Sequence, residues 1–114
     1  MDELQGLLEE VVRKFNQRAK DDAKVRDELK DTERWIDVKL SDGPLYNMHL
    51  KDCALSPLAE GDHPGAEITL ESDSKTLIAV LKKEMGPMKA MALKKIRLKA
   101  DLEDIFRLRK LLSS

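Results

Sequence analysis

Apolar side chains near the start of the chain recur at intervals of three and four positions. This spacing places them on one side of a helix, so residues 3–19 are predicted to form an amphipathic α-helix with one buried stripe. The stripe consists of Leu4, Leu7, Leu8, Val11, Val12, Phe15 and Ala19. Asp21 and Asp22 then offer N-cap oxygens for a second, weaker helix that we expect to reach Lys30.

The period shortens to two in residues 33–41, where apolar and polar side chains alternate and predict a half-buried strand. Residues 42–44 are Asp-Gly-Pro, a strong turn signal, and residues 46–51 alternate again, so we expect a β-hairpin. After a loop rich in glycine and proline, residues 66–71 alternate in the same way and predict a third strand.

Helical spacing returns after residues 72–74, a run of N-cap formers, and predicts a helix that ends at Gly86. Pro87 suits the first turn of another helix, because proline lacks only an amide proton that would be unpaired there. Residues 96–101 predict a fourth strand, and Asp101 is expected to cap a last helix. The inward residues expected on the last helix are Leu102, Ile105, Phe106, Leu108 and Leu112.

The predicted order of elements is α-α-β-β-β-α-α-β-α. Strands joined by hairpins favour an antiparallel arrangement, and helices gathered on one side of a sheet are typical of α+β folds. We therefore expect a mostly antiparallel sheet of four to five strands with helices packed on one face. Residues 1–114 show no internal repeat or linker composition, so a single domain is predicted.

Composition supports a folded protein of the cytoplasm. The chain of 114 residues is 41% hydrophobic and 38% charged, and it has no apolar run of the roughly 20 residues that a membrane-spanning helix needs. Its first residues are acidic, unlike the basic start of a signal peptide. The lone Cys53 has no partner for an internal disulfide, which agrees with a reducing compartment.

Charge is distributed unevenly along the chain. Residues 1–74 hold 10 Lys or Arg against 18 Asp or Glu, whereas residues 75–114 hold 11 against 4. Two interpretations are open: the halves complement each other in the fold, or the later half presents a basic face for transient contact with an anionic membrane surface. Nucleic acid is not an expected partner, because aromatic residues make up only 4% of the chain and offer few stacking platforms.

The motifs of common catalytic sites are missing from the sequence. His49 and His63 have no cysteine or further histidine at metal-ligand spacing, and no glycine-rich phosphate loop occurs. Cys53 has no catalytic signature around it. We therefore expect no enzyme activity, no metal and no cofactor. An acyl-handling enzyme that depends on Cys53 or His49 is kept as an alternative hypothesis, beside the two non-catalytic functions given below.

Methionine is the remaining feature. Met85, Met88 and Met91 lie three positions apart, and Met48 falls on the predicted hairpin. Flexible thioether side chains suit a cavity of changing shape, but they also fill ordinary cores, and the sequence leaves both interpretations open.

The second half of the chain resembles the sterol carrier protein type 2 family. Residues 66–73 form an acidic strand that ends in Ser-Asp, and residues 85–102 read MGPMKAMALKKIRLKADL, with a Pro-x-x-Ala turn into a helix and then a basic strand. The matching positions are Pro87, Ala90, Met91, Lys95, Ile96, Leu98, Asp101 and Leu102. Lys94 and Ala100 depart from the family's usual glycines, so a left-handed helix end at Lys94 would cost about 1 kcal/mol more than with glycine.

The resemblance implies a non-catalytic carrier that binds and transfers a fatty acyl, sterol-like or isoprenoid lipid in a tunnel between sheet and helices. The alternative is an accessory module that presents a lipidic intermediate to a partner enzyme. The residues expected to contact the ligand are Leu77, Leu81, Met85, Met88, Met91, Ile105, Leu108, Leu112 and Met48.

Overall fold

The computed structural model describes residues 2–106 of the chain. Helix α1 spans Asp2–Asp21 and α2 spans Ala23–Leu29, as the apolar spacing predicted. The buried stripe of α1 includes Leu4, which is fully inaccessible to solvent. The Asp22 side chain caps α2 by accepting a hydrogen bond of 2.9 Å from the backbone N–H of Lys24.

Strands β1 (Arg34–Leu40) and β2 (Leu45–Lys51) form the predicted antiparallel hairpin. Their alternation sorts side chains between two faces of the sheet, because successive residues of a strand point in opposite directions. The inner face packs against the helices and carries the buried residues Val38, Leu40, Tyr46, Met48 and Leu50. The outer face carries Trp35 and mostly polar residues.

Four further strands complete a six-stranded sheet: β3 (Ala54–Leu55), β4 (Ala59–Glu60), β5 (Ile68–Ser72) and β6 (Ile96–Lys99). The order is β3-β2-β1-β5-β6, and β4 pairs separately with β2. The α+β class is confirmed, but the sheet is mixed, because β5 runs parallel to β1. After β4 the chain returns to the starting end of β1 before β5 begins, so β5 must run in the same direction.

Asn16 closes the edge of the sheet at β3. Its side-chain amide donates to the backbone carbonyl oxygen of Leu55 (2.9 Å) and accepts from the backbone N–H of the same residue (2.7 Å). One side chain of α1 thus satisfies both backbone groups of Leu55, as a neighbouring strand would. The short β3 is held between β2 and α1.

Helices α3 (Ser74–Leu81) and α4 (Pro87–Ala92) end in the same way. Two backbone hydrogen bonds close each helix end. After α3 the N–H groups of Lys83 and Glu84 donate to carbonyl oxygens of the last turn, and after α4 those of Lys94 and Lys95 do the same. Both are Schellman motifs, which place one residue in the left-handed region, usually glycine. Here that residue is lysine, with φ of 65° at Lys83 and 60° at Lys94.

The prediction for the end of α3 was wrong, whereas the left-handed helix end considered at Lys94 is present. α3 stops at Leu81 and not at Gly86, which instead precedes Pro87 as the N-cap residue of α4. Pro87 opens α4 as expected. Residues 102–106, the terminal helical segment, follow β6, and the backbone N–H of Ile105 donates to the Asp101 carbonyl oxygen (3.0 Å).

Candidate functional site

The inner face of the sheet and helices α1, α2 and α3 enclose the hydrophobic core. Of the residues predicted to contact a lipid, the structure brings Met48, Leu77 and Leu81 together in this core. Met48 and Leu77 are buried, at 6% and 3% exposure, whereas Leu81 at the end of α3 is partly buried against the same cluster. These three side chains come from a strand and a helix that face each other.

The remaining predicted residues lie further out. Met85 falls in the turn between α3 and α4 and is half-buried, like Met91 on α4 and Ile105 on the terminal helical segment. Met88 is 50% exposed, contrary to the expected inward orientation, because α4 turns its Ala90 side towards the rest of the protein. Leu108 and Leu112 lie outside the described residues.

Large apolar side chains are exposed beyond the core. Met88 and Leu93 stand out from α4 and its C-cap at 50% and 52% exposure. On the terminal helical segment Leu102 and Phe106 reach 66% and 57%. The inward orientation expected for Leu102 and Phe106 was therefore wrong, because the segment turns Asp104 inward instead.

A cavity of about 500 Å³ opens where β1 and β5 end and β6 begins. The register of the sheet places Lys39, Glu71 and Arg97 side by side on the outer face. The full lining is Lys39, Leu40, Ser41, Glu71, Ser72, Asp73, Lys94, Lys95 and Arg97. Four cationic side chains thus face two carboxylates, and only the charge asymmetry of the sequence foreshadowed them.

Both carboxylates of the cavity already have partners. Glu71 forms an ion pair of 3.2 Å with Lys99. Asp73 caps α3, and hydrogen bonds from the hydroxyl and backbone N–H of Thr76 lower the pKa of its carboxyl group. No ion pair within 4.0 Å joins Lys94, Lys95 or Arg97 to a residue in the described range 2–106. The cavity therefore carries an excess of positive charge.

The outer face of the sheet holds a second polar cluster that sequence reasoning missed. Trp35 is stacked between His49 and His63, with ring centroids 4.0 and 3.8 Å away. His49 is the cross-strand partner of Trp35, whereas His63 arrives from the loop after β4. Beside them lies Asp37, only 2% exposed, whose carboxylate accepts from the backbone N–H of His63.

Burial raises the pKa of Asp37, and a hydrogen bond shared with Asp62 raises it further. A backbone hydrogen bond of 2.6 Å from Trp35 lowers the pKa of Glu67. Within residues 2–106 no group of three or more His, Cys, Asp or Glu side chains is arranged to hold a metal ion. The cluster ties the loop to the sheet.

Cys53 lies in the two-residue turn between β2 and β3. It and Asp52 both have positive φ, 63° and 54°, which is the geometry of a type I′ hairpin. The thiol is partly buried and donates a long hydrogen bond of 3.6 Å to the Arg26 carbonyl oxygen. Its contacts are those of a turn residue.

None of the helices within residues 2–106 combines the length and the apolar composition that a membrane span requires.

Comparisons with known proteins identify the fold. A model described as the SCP-2 sterol transfer family matches residues 12–113. Sterol Carrier Protein 2 of Aedes aegypti, solved in complex with palmitate, is 24% identical with a TM-score of 0.58, and the match covers 90% of each chain. The ubiquinone synthesis protein UbiJ-SCP2 is 12% identical with a TM-score of 0.58, covering 86% of this chain and 78% of that one.

The fold also occurs inside a larger protein. The stereoselective inverting sec-alkylsulfatase Pisa1 from Pseudomonas sp. is 16% identical with a TM-score of 0.56, over 71% of this chain and 13% of that one. The chain thus spans about one eighth of the sulfatase it matches. A search of curated proteins finds no match. Because the family model covers nearly the whole chain and solved family members share its fold, the chain belongs to the SCP-2 sterol transfer family, whose members are lipid-transfer domains.

Proposed function

We propose that this protein binds a long-chain lipid without catalysis and transfers it between membranes within the cytoplasm. The observation that carries the proposal is the match of residues 12–113 to a lipid-transfer family, together with the fold that this chain shares with solved members of the family. The proposed ligand is a fatty acyl, sterol-like or isoprenoid molecule, held in a tunnel between sheet and helices. The lone Cys53, which has no partner for an internal disulfide, agrees with the proposed cytoplasmic location.

The ligand-contacting residues we propose form a path from core to surface. Met48, Leu77 and Leu81 form its inner end, whereas Met85 and Met91 are half-buried nearer the surface. Met88, Ile105, Leu108 and Leu112 complete the proposed set. Methionine suits such a path, because its unbranched thioether chain adapts to ligands of different shape at small energetic cost.

The energy available from burial is sufficient for this function. Burying about 14 methylenes of an acyl chain at about 0.8 kcal/mol each gives on the order of 11 kcal/mol before costs. Loss of translational and rotational freedom removes several kcal/mol. The remainder corresponds to binding near the micromolar range, about 8 kcal/mol, which allows both uptake and release.

Titration of delipidated protein with a fluorescent acyl probe tests the proposal. We expect saturable uptake that palmitate displaces, and about tenfold weaker uptake in Leu81→Trp, because the larger ring occupies space beside the core. Val11→Trp is the matched control, since Val11 is 39% exposed on α1. If folded wild-type protein takes up no acyl, sterol or isoprenoid probe, the proposal is wrong.

A second candidate is an accessory module that presents a lipidic intermediate to a partner enzyme. Two observations favour it: the likeness to UbiJ-SCP2, which is described as a ubiquinone synthesis protein, and the occurrence of the fold inside a sulfatase. Exposed Leu102 and Phe106 offer an apolar contact for such a partner. Affinity purification at moderate salt from the source cells distinguishes the two, because the accessory module predicts a stoichiometric enzyme partner and the carrier predicts none.

A further inference from the structure

Helix α4 and the residues after it form an exposed corner of the protein, which we call the α4 corner (residues 87–95). The corner is anchored from beneath by Ala90, fully buried on α4, and by Ile96, 6% exposed at the start of β6. Two large apolar side chains of the corner, Met88 and Leu93, remain about half exposed. A firmly attached element that exposes large apolar side chains is typical of an interaction surface.

The α4 corner also carries positive charge. Lys89, Lys94 and Lys95 are all exposed on the same corner. The Schellman motif fixes the backbone of Lys94 at a φ of 60°, although glycine would be less strained there. The corner thus holds a lysine where the backbone geometry alone favours glycine.

The cavity at the end of β1 and β5 continues this positive surface. Lys94 and Lys95 line the cavity together with Lys39 and Arg97. Glu71 is paired with Lys99, which lies outside the cavity lining, and Asp73 attracts Lys95, so the two carboxylates leave the four cations of the lining in excess. Lys39 reaches Asp62 only at 3.9 Å, with both side chains about 40% exposed.

We propose that the α4 corner docks on an anionic phospholipid bilayer. Met88 and Leu93 enter the headgroup region, the lysines of the corner lie against lipid phosphates, and the cavity takes up a headgroup. Charge complementarity selects the bilayer as occupant, because exposed apolar side chains on a lysine-rich corner match an interface of acyl chains beneath anionic headgroups. The inference rests on the proposed function only for the idea that the docked protein delivers a lipid. Docking itself requires no bound ligand.

Vesicle sedimentation with ligand-free protein tests the docking. The probes are vesicles of phosphatidylcholine alone and vesicles with about 30% phosphatidylserine, at about 0.1 M salt so that surface charge is only partly screened. We expect binding to the anionic vesicles only. Lys94→Gln with Lys95→Gln should weaken this binding about 25-fold, since each cation near such a surface contributes about fivefold.

Matched variants separate the α4 corner from general charge and hydrophobicity. Lys20→Gln with Lys24→Gln removes the same charge from exposed positions elsewhere and should leave binding unchanged. Leu93→Ser should weaken binding about tenfold, whereas Val11→Ser, at 39% exposure on α1, should have no effect. Melting temperatures of all variants establish that they are folded.

Four outcomes would overturn the proposal: equal binding to neutral vesicles, an equal loss in the Lys20 and Lys24 variant, an unchanged Leu93→Ser variant, or binding of inorganic phosphate without any binding to vesicles. Uptake of an acyl probe is measured in buffer on the same proteins and should survive the Lys94, Lys95 and Leu93 changes. Wild-type protein that takes up the acyl probe but binds no anionic vesicles refutes docking alone. Uptake absent from wild-type protein that still binds vesicles refutes the carrier function alone.

Discussion

Arg34 and Asp104 form an ion pair that joins the first strand of the sheet to the terminal helical segment. The guanidinium Nε lies 2.9 Å from the Asp104 carboxylate, which is only 2% exposed. This hydrogen bond raises the pKa of Arg34. The contact bridges 70 positions in sequence, so it fixes where the terminal helical segment begins relative to β1.

Removing the acid of this pair should destabilise the protein. In Asp104→Ala the partly buried guanidinium of Arg34 loses its partner, and we expect the free energy of unfolding to fall by about 2 to 3 kcal/mol. Urea denaturation measures the change. Lys99→Ala is the comparison, because its pair with Glu71 is exposed and should contribute less than about 1 kcal/mol. Equal losses in the two variants would contradict a structural role for Asp104.

Glycine at the left-handed helix ends should stabilise the protein. Lys83→Gly and Lys94→Gly relieve a φ of 65° and 60°, and each should raise the free energy of unfolding by about 1 kcal/mol. Chemical denaturation at neutral pH measures the gain. Lys89→Gly is the control, because it lies inside α4 and should lose about 1 kcal/mol instead. A loss of stability at both helix ends would refute the assignment of strain.

The stability of the protein should depend on pH through Asp37. The pKa of Asp37 lies above the ordinary value of 3.8, and burial is the largest cause of this rise. The folded chain therefore binds a proton at Asp37 more tightly than the unfolded chain does. The free energy of unfolding therefore falls as pH rises through the pKa of Asp37 in the folded chain. It recovers as pH falls towards the pKa of Asp37 in the unfolded chain.

Asp37→Asn isolates this effect, because asparagine still accepts from the His63 backbone and can donate to Asp62. We expect the variant to unfold at higher urea concentration than wild type at about pH 7, with the difference shrinking towards about pH 4. The carboxylate of Asp62 also repels that of Asp37. Asp62→Asn removes this repulsion at the more exposed of the two residues and should also raise stability at about pH 7. A variant less stable than wild type at neutral pH would contradict the sign.

The edge of the sheet should depend on Asn16. Asn16→Ala removes both hydrogen bonds to Leu55, and we expect a loss of about 1 to 2 kcal/mol together with faster amide exchange at Leu55. The neighbouring Gln17→Ala removes only an exposed bond to Asp21 and should change stability by less than about 0.5 kcal/mol. Unchanged exchange at Leu55 would show that β3 is held without this side chain.

The sequence predicted the elements that bury one face over several residues. α1 and the β1–β2 hairpin were located correctly because each repeats its apolar period often enough to be recognised. Strands β3 and β4 have two residues each and carry no readable period. The parallel pairing of β1 with β5 depends on the path of the intervening loop, which local alternation does not encode.

Helix ends and clusters were harder to predict than the elements themselves. Gly86 was the obvious stop signal for α3, but Lys83 adopts the left-handed turn despite having no preference for it. Trp35, His49 and His63 are far apart in sequence and meet only because the loop crosses the outer face of the sheet. Strand alternation and helical spacing placed Met48 and Leu77 inward, and both are buried, whereas their contact with a ligand stays a prediction that the family resemblance supplied.

NMR with methyl-labelled methionine tests the central claim most directly. The chain has five methionines, and we propose that Met48, Met85, Met88 and Met91 contact the ligand. On addition of palmitate to delipidated protein, we predict saturable shifts of these methyl signals and direct nuclear Overhauser contacts from Met48, Met85 and Met91 to the acyl chain. Signals that stay unchanged when palmitate exceeds the protein concentration and the proposed micromolar affinity would contradict the proposal of a lipid site between sheet and helices.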